Sequence, residues 1–345
     1  YNTDWYISQS MRSTYESQPL PYTLGIENYR QGGPNDYLFY QDAGLKEIDL
    51  KEYLQLLKKD YKGLKVSFAA NSNMVPAKEL VLSVDVDKVR RLGIIPEGMD
   101  SLVVPEMRLR LTGNGLEKKD LAMLDLLATS DWERPLYVNN TSMAQFKVDL
   151  SPYVVQEGNA YRILPVRNPY PQGGELVNTT VAYDNMTTKF QYREMNNPQV
   201  YYSEDYRKFV VNQRSAFNNV AEALIADEEP EKALKLIDFA LEKIPDTTFR
   251  YDYTNARTVE MLLELGEKER ALEIATKMTD RADEMATYLI EKNEIGNDLQ
   301  INLAIISQLA RVMLVYQEME MANRLEEMYE KHRNSLGLPS RREGM

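Results

Sequence analysis

Two carboxylates, Asp85 and Asp87, follow directly on the apolar run Leu80-Val-Leu-Ser-Val84. At the end of a strand in an α/β domain, such a pair can hold a cation or serve as acid and base. A plainer role fits equally: Asp85 caps a helix expected over 86–92, and Asp87 sits in its first turn, where negative charge is favoured. A second cluster is Gly113-Asn-Gly115 with Lys118-Lys119. Amides at a helix N-terminus can cradle a phosphate, with Lys118 adding charge; a tight turn into the helix explains the glycines as well. Trp5 and Trp132 can stack on a sugar ring, but a large aromatic beside an apolar helix is first expected in a core. The 23 tyrosines suit wet contact surfaces. Tyr251, Tyr253, Asn255, Arg257 and Tyr288 are the candidates for a binding groove, with interhelical packing as the alternative.

Other chemistries are closed off. There is no cysteine, hence no thiol nucleophile and no zinc–thiolate site. His332 is the single histidine, so a His-based triad or a multi-His metal site within the chain is not expected. No catalytic signature and no cofactor motif stand out. The net charge of −12 argues against a nucleic-acid footprint, and Arg90-Arg91 and Arg341-Arg342 read as short solvated clusters. No run of 18 apolar residues is present, so direct membrane insertion by this chain is not expected.

These residues need elements to position them. Leu121-Ala-Met-Leu-Asp-Leu-Leu-Ala128 is apolar over most of a helix's circumference, so a buried helix is expected there. Thr129 to Arg134 then turns the chain into the strand-like Pro135-Leu-Tyr-Val138, half of a βαβ unit. Asp49 caps a helix reaching Asp60, and Met107-Arg-Leu-Arg-Leu111 alternates as a half-buried strand. A helix is also expected near the start, capped by Asn2, Thr3 or Asp4 and spaced by Trp5, Ile7, Met11 and Tyr15. From Ser203 glycine and proline nearly vanish. Phe217, Val220, Ala221, Leu224, Ala233, Ile237, Ala240 and Pro245 fall at tetratricopeptide spacing, with two weaker echoes downstream.

The reading is an α/β domain with a mainly parallel sheet over 1–165. A connecting arm follows at 166–202, then a tetratricopeptide-like helical array at 203–337 and a tail at 338–345. Within the arm, Met186 to Tyr192 is expected to pack onto a domain.

Leu126-Leu-Ala128 with Trp132-Glu-Arg-Pro-Leu-Tyr137 resembles a family of bacterial multi-pass membrane proteins that carry a domain of unknown function. The resemblance continues at Asn2-Thr-Asp-Trp-Tyr-Ile7, Gly158 to Pro165, Met186 to Tyr192, Val200 to Tyr206, Asn212 to Phe217 and Ala221 to Ile225. The membrane part of that family is similar to protein O-mannosyltransferases, the C-type glycosyltransferases, and its soluble tail carries tetratricopeptide-like repeats. The resemblance implies an extracytoplasmic, periplasmic region tethered by N-terminal membrane helices absent here, with a first domain truncated at its start. Beginning at Tyr1, the chain is expected to be a processed or cut piece. The family's catalytic acid lies on an extracytoplasmic loop near the N-terminus of the membrane part, with no counterpart in this chain, so no catalytic residue carries over. Four Asn-x-Ser/Thr sequons, at Asn139, Asn140, Asn178 and Asn185, have no weight in a bacterial setting.

The expected role is recruitment: binding a polypeptide or glycan acceptor and presenting it to a membrane active site. Two alternatives stand beside it, an α/β enzyme acting on a phosphorylated or sugar substrate and a scaffold for envelope assembly.

Overall fold

The computed structural model describes residues 4–12, 18–66, 68–169 and 174–338. It divides into two compact units, Tyr1–Asn178 and Thr179–Met345. Asn2, Thr3, Tyr15 and the pair Arg341-Arg342 lie outside the described residues.

The first unit runs α1 (Asp4–Ser10), β1 (Tyr37–Tyr40), β2 (Glu47–Asp49), α2 (Leu50–Lys58), β3 (Lys65–Val66), β4 (Ala69–Val75), β5 (Glu79–Ser83) and α3 (Val86–Arg91). It continues with β6 (Glu106–Arg110), β7 (Gly115–Glu117), α4 (Lys118–Thr129), β8 (Tyr137–Val138), α5 (Asn140–Gln145), β9 (Val154–Gln156), β10 (Tyr161–Ile163) and β11 (Leu176–Val177). Short polar caps set several of these boundaries. Asp49 accepts the Glu52 amide to start α2, and Asp85 accepts the Lys88 amide to start α3.

The strands form three small mixed sheets, ordered β3-β4-β1-β7, β11-β9-β10-β8 and β2-β5-β6. This corrects the expectation of one mainly parallel sheet. Parallel pairs (β1/β4, β2/β5, β9/β11) alternate with antiparallel ones, such as the five-residue β5/β6 ladder. The parallel pairs are isolated ones, each set beside antiparallel neighbours in its own small sheet, so no run of consecutive βαβ units builds one parallel sheet. The expected half-unit is also resolved differently: β7 enters α4 from one sheet, and β8 leaves it into another. After α5, Val148 contributes one isolated bridge, to Leu111.

α4 sits inside the unit, as its sequence demanded. Leu121, Ala122, Leu124, Leu127 and Ala128 are buried in the main core with Leu54 and Leu57 of α2 and Leu80 and Leu82 of β5. Trp132 packs against that core, in a left-handed turn (φ 66°). Trp5 departs from expectation and is 62 % exposed. Ile7 is the α1 residue that reaches the core, and a residue two positions away on a helix points elsewhere.

The second unit is helical: α6 (Thr179–Asp184) with a π-helical turn at Asn185–Lys189, then α7 (Glu204–Ala226), α8 (Pro230–Lys243), α9 (Asn255–Glu264), α10 (Lys268–Glu291), α11 (Asn297–Val315) and α12 (Met319–Ser335). Met186 is fully buried, and the Tyr192 ring lies 5.9 Å from Phe217 and 5.6 Å from Phe239. Small residues let the helices approach: Ala221 and Ala233 are buried in α7 and α8, and Ala271, Ala275 and Ala282 in α10.

Four interhelical turns share one device. Glu228, Gly266, Asn293 and Gln317 each adopt positive φ. The next-following amide then reaches back five residues, as in Glu229 N to Leu224 O and Glu318 N to Met313 O, each 2.8 Å. This closure satisfies carbonyls that the ending helix leaves open. α11 is long and apolar enough to cross a membrane by length and composition. Its Leu299, Ile306, Leu309 and Met313 are nevertheless buried, and the helix packs on α10 and α12.

Candidate functional site

Asp85 and Asp87 do not form a ligand pair. Asp85 is spent on the α3 cap, its Oδ1 accepting the Lys88 amide at 2.9 Å, and Asp87 lies in the exposed first turn. The Gly113–Lys118 cluster is also broken up. Gly115 is a strand residue paired with Phe39, and a Cβ there would fall 2.4 Å from Leu38 O and 2.7 Å from the Tyr37 ring. It is glycine because backbone and ring approach too closely for anything larger. Lys118 is buried and its Nζ is 2.8 Å from Asp36 Oδ1. At the N-terminus of α4, Glu117 and Asp120 form a reciprocal capping box, so carboxylates already occupy the place a phosphate would take.

Several polar residues that organise this unit were not singled out from the sequence. Asp125 is fully buried and accepts the amides of Thr23 (2.8 Å) and Leu24 (2.9 Å) and the Tyr29 hydroxyl (2.8 Å). Burial raises its carboxyl above the ordinary aspartate value, and the three donors pull the other way. Asp120 accepts the amides of Glu117 and Lys147, and burial raises it too. Glu157 accepts the Tyr137 hydroxyl at 2.6 Å; burial and this carboxylate push the phenol up to about 12. Each of these groups ties one segment of chain to another.

One concavity of the unit is an open cleft of about 750 Å³. Ser101 to Val104, Asp149, Ser151, Tyr161, Arg167, Asn168 and Glu175 are among its lining residues. Its carboxylates are engaged locally. Asp149 Oδ1 accepts from Ser151 N and Oγ, and Glu175 Oε2 accepts the Tyr161 hydroxyl at 2.8 Å. Among the described residues no group of three or more His, Asp or Glu side chains is placed to hold a metal ion. The lining comes from segments more than seventy residues apart, and its one local signal is the turn chemistry of Asp149-Leu-Ser-Pro and Asn168-Pro.

In the helical unit the five proposed groove residues separate. Tyr253 is exposed, whereas Tyr251 is half-buried, its ring 5.7 Å from the Arg214 guanidinium. Asn255 is buried, and its Oδ1 accepts the Asp252 amide at 3.1 Å. It shapes the start of α9 and is not available to line a groove. Arg257 pairs with Glu222 of α7 and with Glu260. Tyr288 is exposed on α10, beside Lys292.

What sequence reasoning missed here is the joint between α7 and the segment 244–254. The guanidinium of Arg214, nearly buried, donates to the carbonyls of Ile244 (3.4 Å), Phe249 (2.6 Å) and Arg250 (2.9 Å) and to Asp252 Oδ2 (2.7 Å). One turn on, Asn218 Nδ2 donates to Thr254 O, and Asn218 Oδ1 accepts the Thr258 hydroxyl. The joint leaves the Glu222–Arg257–Glu260 surface facing solvent in part.

No curated protein and no solved structure matches the chain. One family model does, that of TMEM260-associated domain 2, over residues 1–181. The matched span contains the whole first unit and ends just past its boundary at Asn178. With more than half of its 345 residues matched, the chain belongs to the TMEM260-associated domain 2 family.

Proposed function

We propose that this chain is a binding and positioning region of a membrane glycosyltransferase-like protein, held on the extracytoplasmic side by membrane segments elsewhere in that protein. It holds a polypeptide or glycan acceptor, and bond-making belongs to the membrane part. The helical unit is read as a short tetratricopeptide-like array in which α7, α9 and α11 line the receiving face. The observation that carries this reading is the side-by-side packing of α7/α8, α9/α10 and α11/α12 as successive antiparallel pairs. It leaves Glu222, Arg257, Glu260, Gln308 and Arg311 at least partly solvent-facing. Support also comes from the carboxylates of the first unit. Asp85, Asp120, Asp125, Asp149 and Glu157 are engaged in caps and chain-to-chain bonds, which suits a holding role.

The test is binding of the full chain to peptide and glycan arrays, repeated with Arg257→Ala and Tyr253→Ala. Tyr253 is exposed, so its replacement should change stability by less than about 0.5 kcal/mol; Arg257 gives up its pairs to Glu222 and Glu260, at a cost of about 1 kcal/mol that unfolding of the variant checks. The expected result is a reproducible ligand class whose affinity falls about tenfold or more in Arg257→Ala. Glycosyl transfer or hydrolysis by this chain alone, or array binding indifferent to both substitutions, overturns the reading.

A further inference from the structure

The surface around Thr112 gathers three cations that make no ion pair among the described residues. Leu111 and Val148 form a bridge with both side chains buried. Side chains alternate along paired segments, so Arg110, Thr112, Lys147 and Asp149 share the outward face. Thr112 N donates to Lys147 O at 3.0 Å, and Leu111 N donates to Lys78 O at 2.9 Å, which brings Lys78 alongside. Lys78, Arg110, Thr112 and Asp149 line an open cleft of about 420 Å³. Lys147 runs beside Gly113, where an added Cβ would meet Lys147 Cδ at 3.4 Å.

Among the described residues, Lys78, Arg110 and Lys147 make no ion pair. Lys78 Nζ has a long contact to Gly113 O (3.4 Å) and stands 4.2 Å from the centre of the Tyr40 ring. Glu79, the cross-strand neighbour of Arg110, is taken by Arg108 at 3.0 Å, and Asp149 Oδ1 is taken by Ser151. The amides of Gly113 and Asn114 donate to no described acceptor, although Asn114 O accepts the Tyr40 amide. Lys78, Arg110 and Thr112 thus line one small opening together with Asp149, and Lys147 and the Gly113–Asn114 turn adjoin it through the Lys147–Gly113 approach and the Lys78–Gly113 contact. A planar carboxylate is served by a single fork, whereas donors spread over several directions suit a tetrahedral oxyanion carrying more than one charge.

We propose that this cleft binds a phosphate group, free or as a monoester, with Lys78, Arg110 and Lys147 supplying charge and the Thr112–Asn114 loop supplying neutral donors. Of the glycine–lysine cluster singled out from the sequence, only Gly113 and Asn114 take part. The site does not depend on the helical unit binding a partner. The same head group can come free, on a sugar or on a phospholipid.

The test is an amide NMR titration of the full chain at low ionic strength and near-neutral pH, because screening weakens such a site. Inorganic phosphate is the first probe, glucose 6-phosphate the second, and phosphatidylcholine vesicles with and without phosphatidic acid the third, read by co-flotation. The Gly113 and Asn114 amides should shift with phosphate at about 10 mM, the range of a weak anion site. Arg110→Gln and Lys147→Ala should each weaken binding about tenfold, while Arg91→Ala, a surface cation on α3, leaves it unchanged. Tighter binding of the sugar phosphate assigns a soluble ester, flotation that needs phosphatidic acid assigns a lipid, and phosphate binding alone assigns the free anion. Unmoved amides, shifts equalled by acetate, or variants that bind phosphate as the parent does overturn the proposal.

Discussion

Asp125, in the middle of α4, accepts the hydroxyl of Tyr29 at 2.8 Å across 96 residues of sequence. The same carboxylate accepts the amides of Thr23 and Leu24, so one side chain anchors a segment with little regular structure of its own.

Replacing Asp125 by Ala leaves two amides and a hydroxyl buried without their acceptor. The expected cost is about 3 kcal/mol or more, read by urea unfolding. The acid response separates this from simple packing loss. Burial raises the native carboxyl above its unfolded value, so the native state binds the proton more readily. The charged form's penalty applies above the raised value and is relieved as pH falls from there toward the ordinary aspartate value. Over that window the parent should gain stability relative to Asp125→Asn; a parallel or opposite trend contradicts the assignment.

Arg214 holds three carbonyls and one carboxylate with a planar fork. A lysine keeps the charge but cannot reproduce those directions. Arg214→Lys is therefore expected to destabilise by about 2–4 kcal/mol, close to Arg214→Ala. If thermal or urea unfolding shows Arg214→Lys within about 0.5 kcal/mol of the parent, charge and not geometry makes the joint.

Gln317 closes the α11–α12 turn at φ 62°, where a Cβ is disfavoured. Its amide donates to Leu314 O, a bond that glycine preserves. Gln317→Gly should stabilise the chain by up to about 1 kcal/mol, a gain reduced by the greater freedom glycine has when unfolded. Equal or lower stability in calorimetry would show that the turn carries no left-handed strain.

Local signals were legible and long-range ones were not. Asp49 and Asp85 announced the starts of α2 and α3, because a cap and its target amide lie within one turn. β6 was readable from Met107 and Leu109 alternating with arginines. β4, Ala69–Val75, was not, since Asn71-Ser-Asn73 has no strand chemistry. The buried Asn73 donates to Asn35, itself far away in sequence, and that bond helps hold the strand in place. α4 read as apolar on nearly every side, which hid the two carboxylates that give it its polar ties. Among the candidate residues, Asn255 misled because Asn at a helix start suits a groove and a local turn equally, and only burial separates the two.

The clasp around Arg214 has a mechanical consequence. Interdigitated apolar faces resist sliding only through packing, whereas a fork aimed at four fixed oxygens also fixes direction. The bend between the first two hairpins is thereby a built-in constant, like a welded corner, and whatever docks alongside must conform to it.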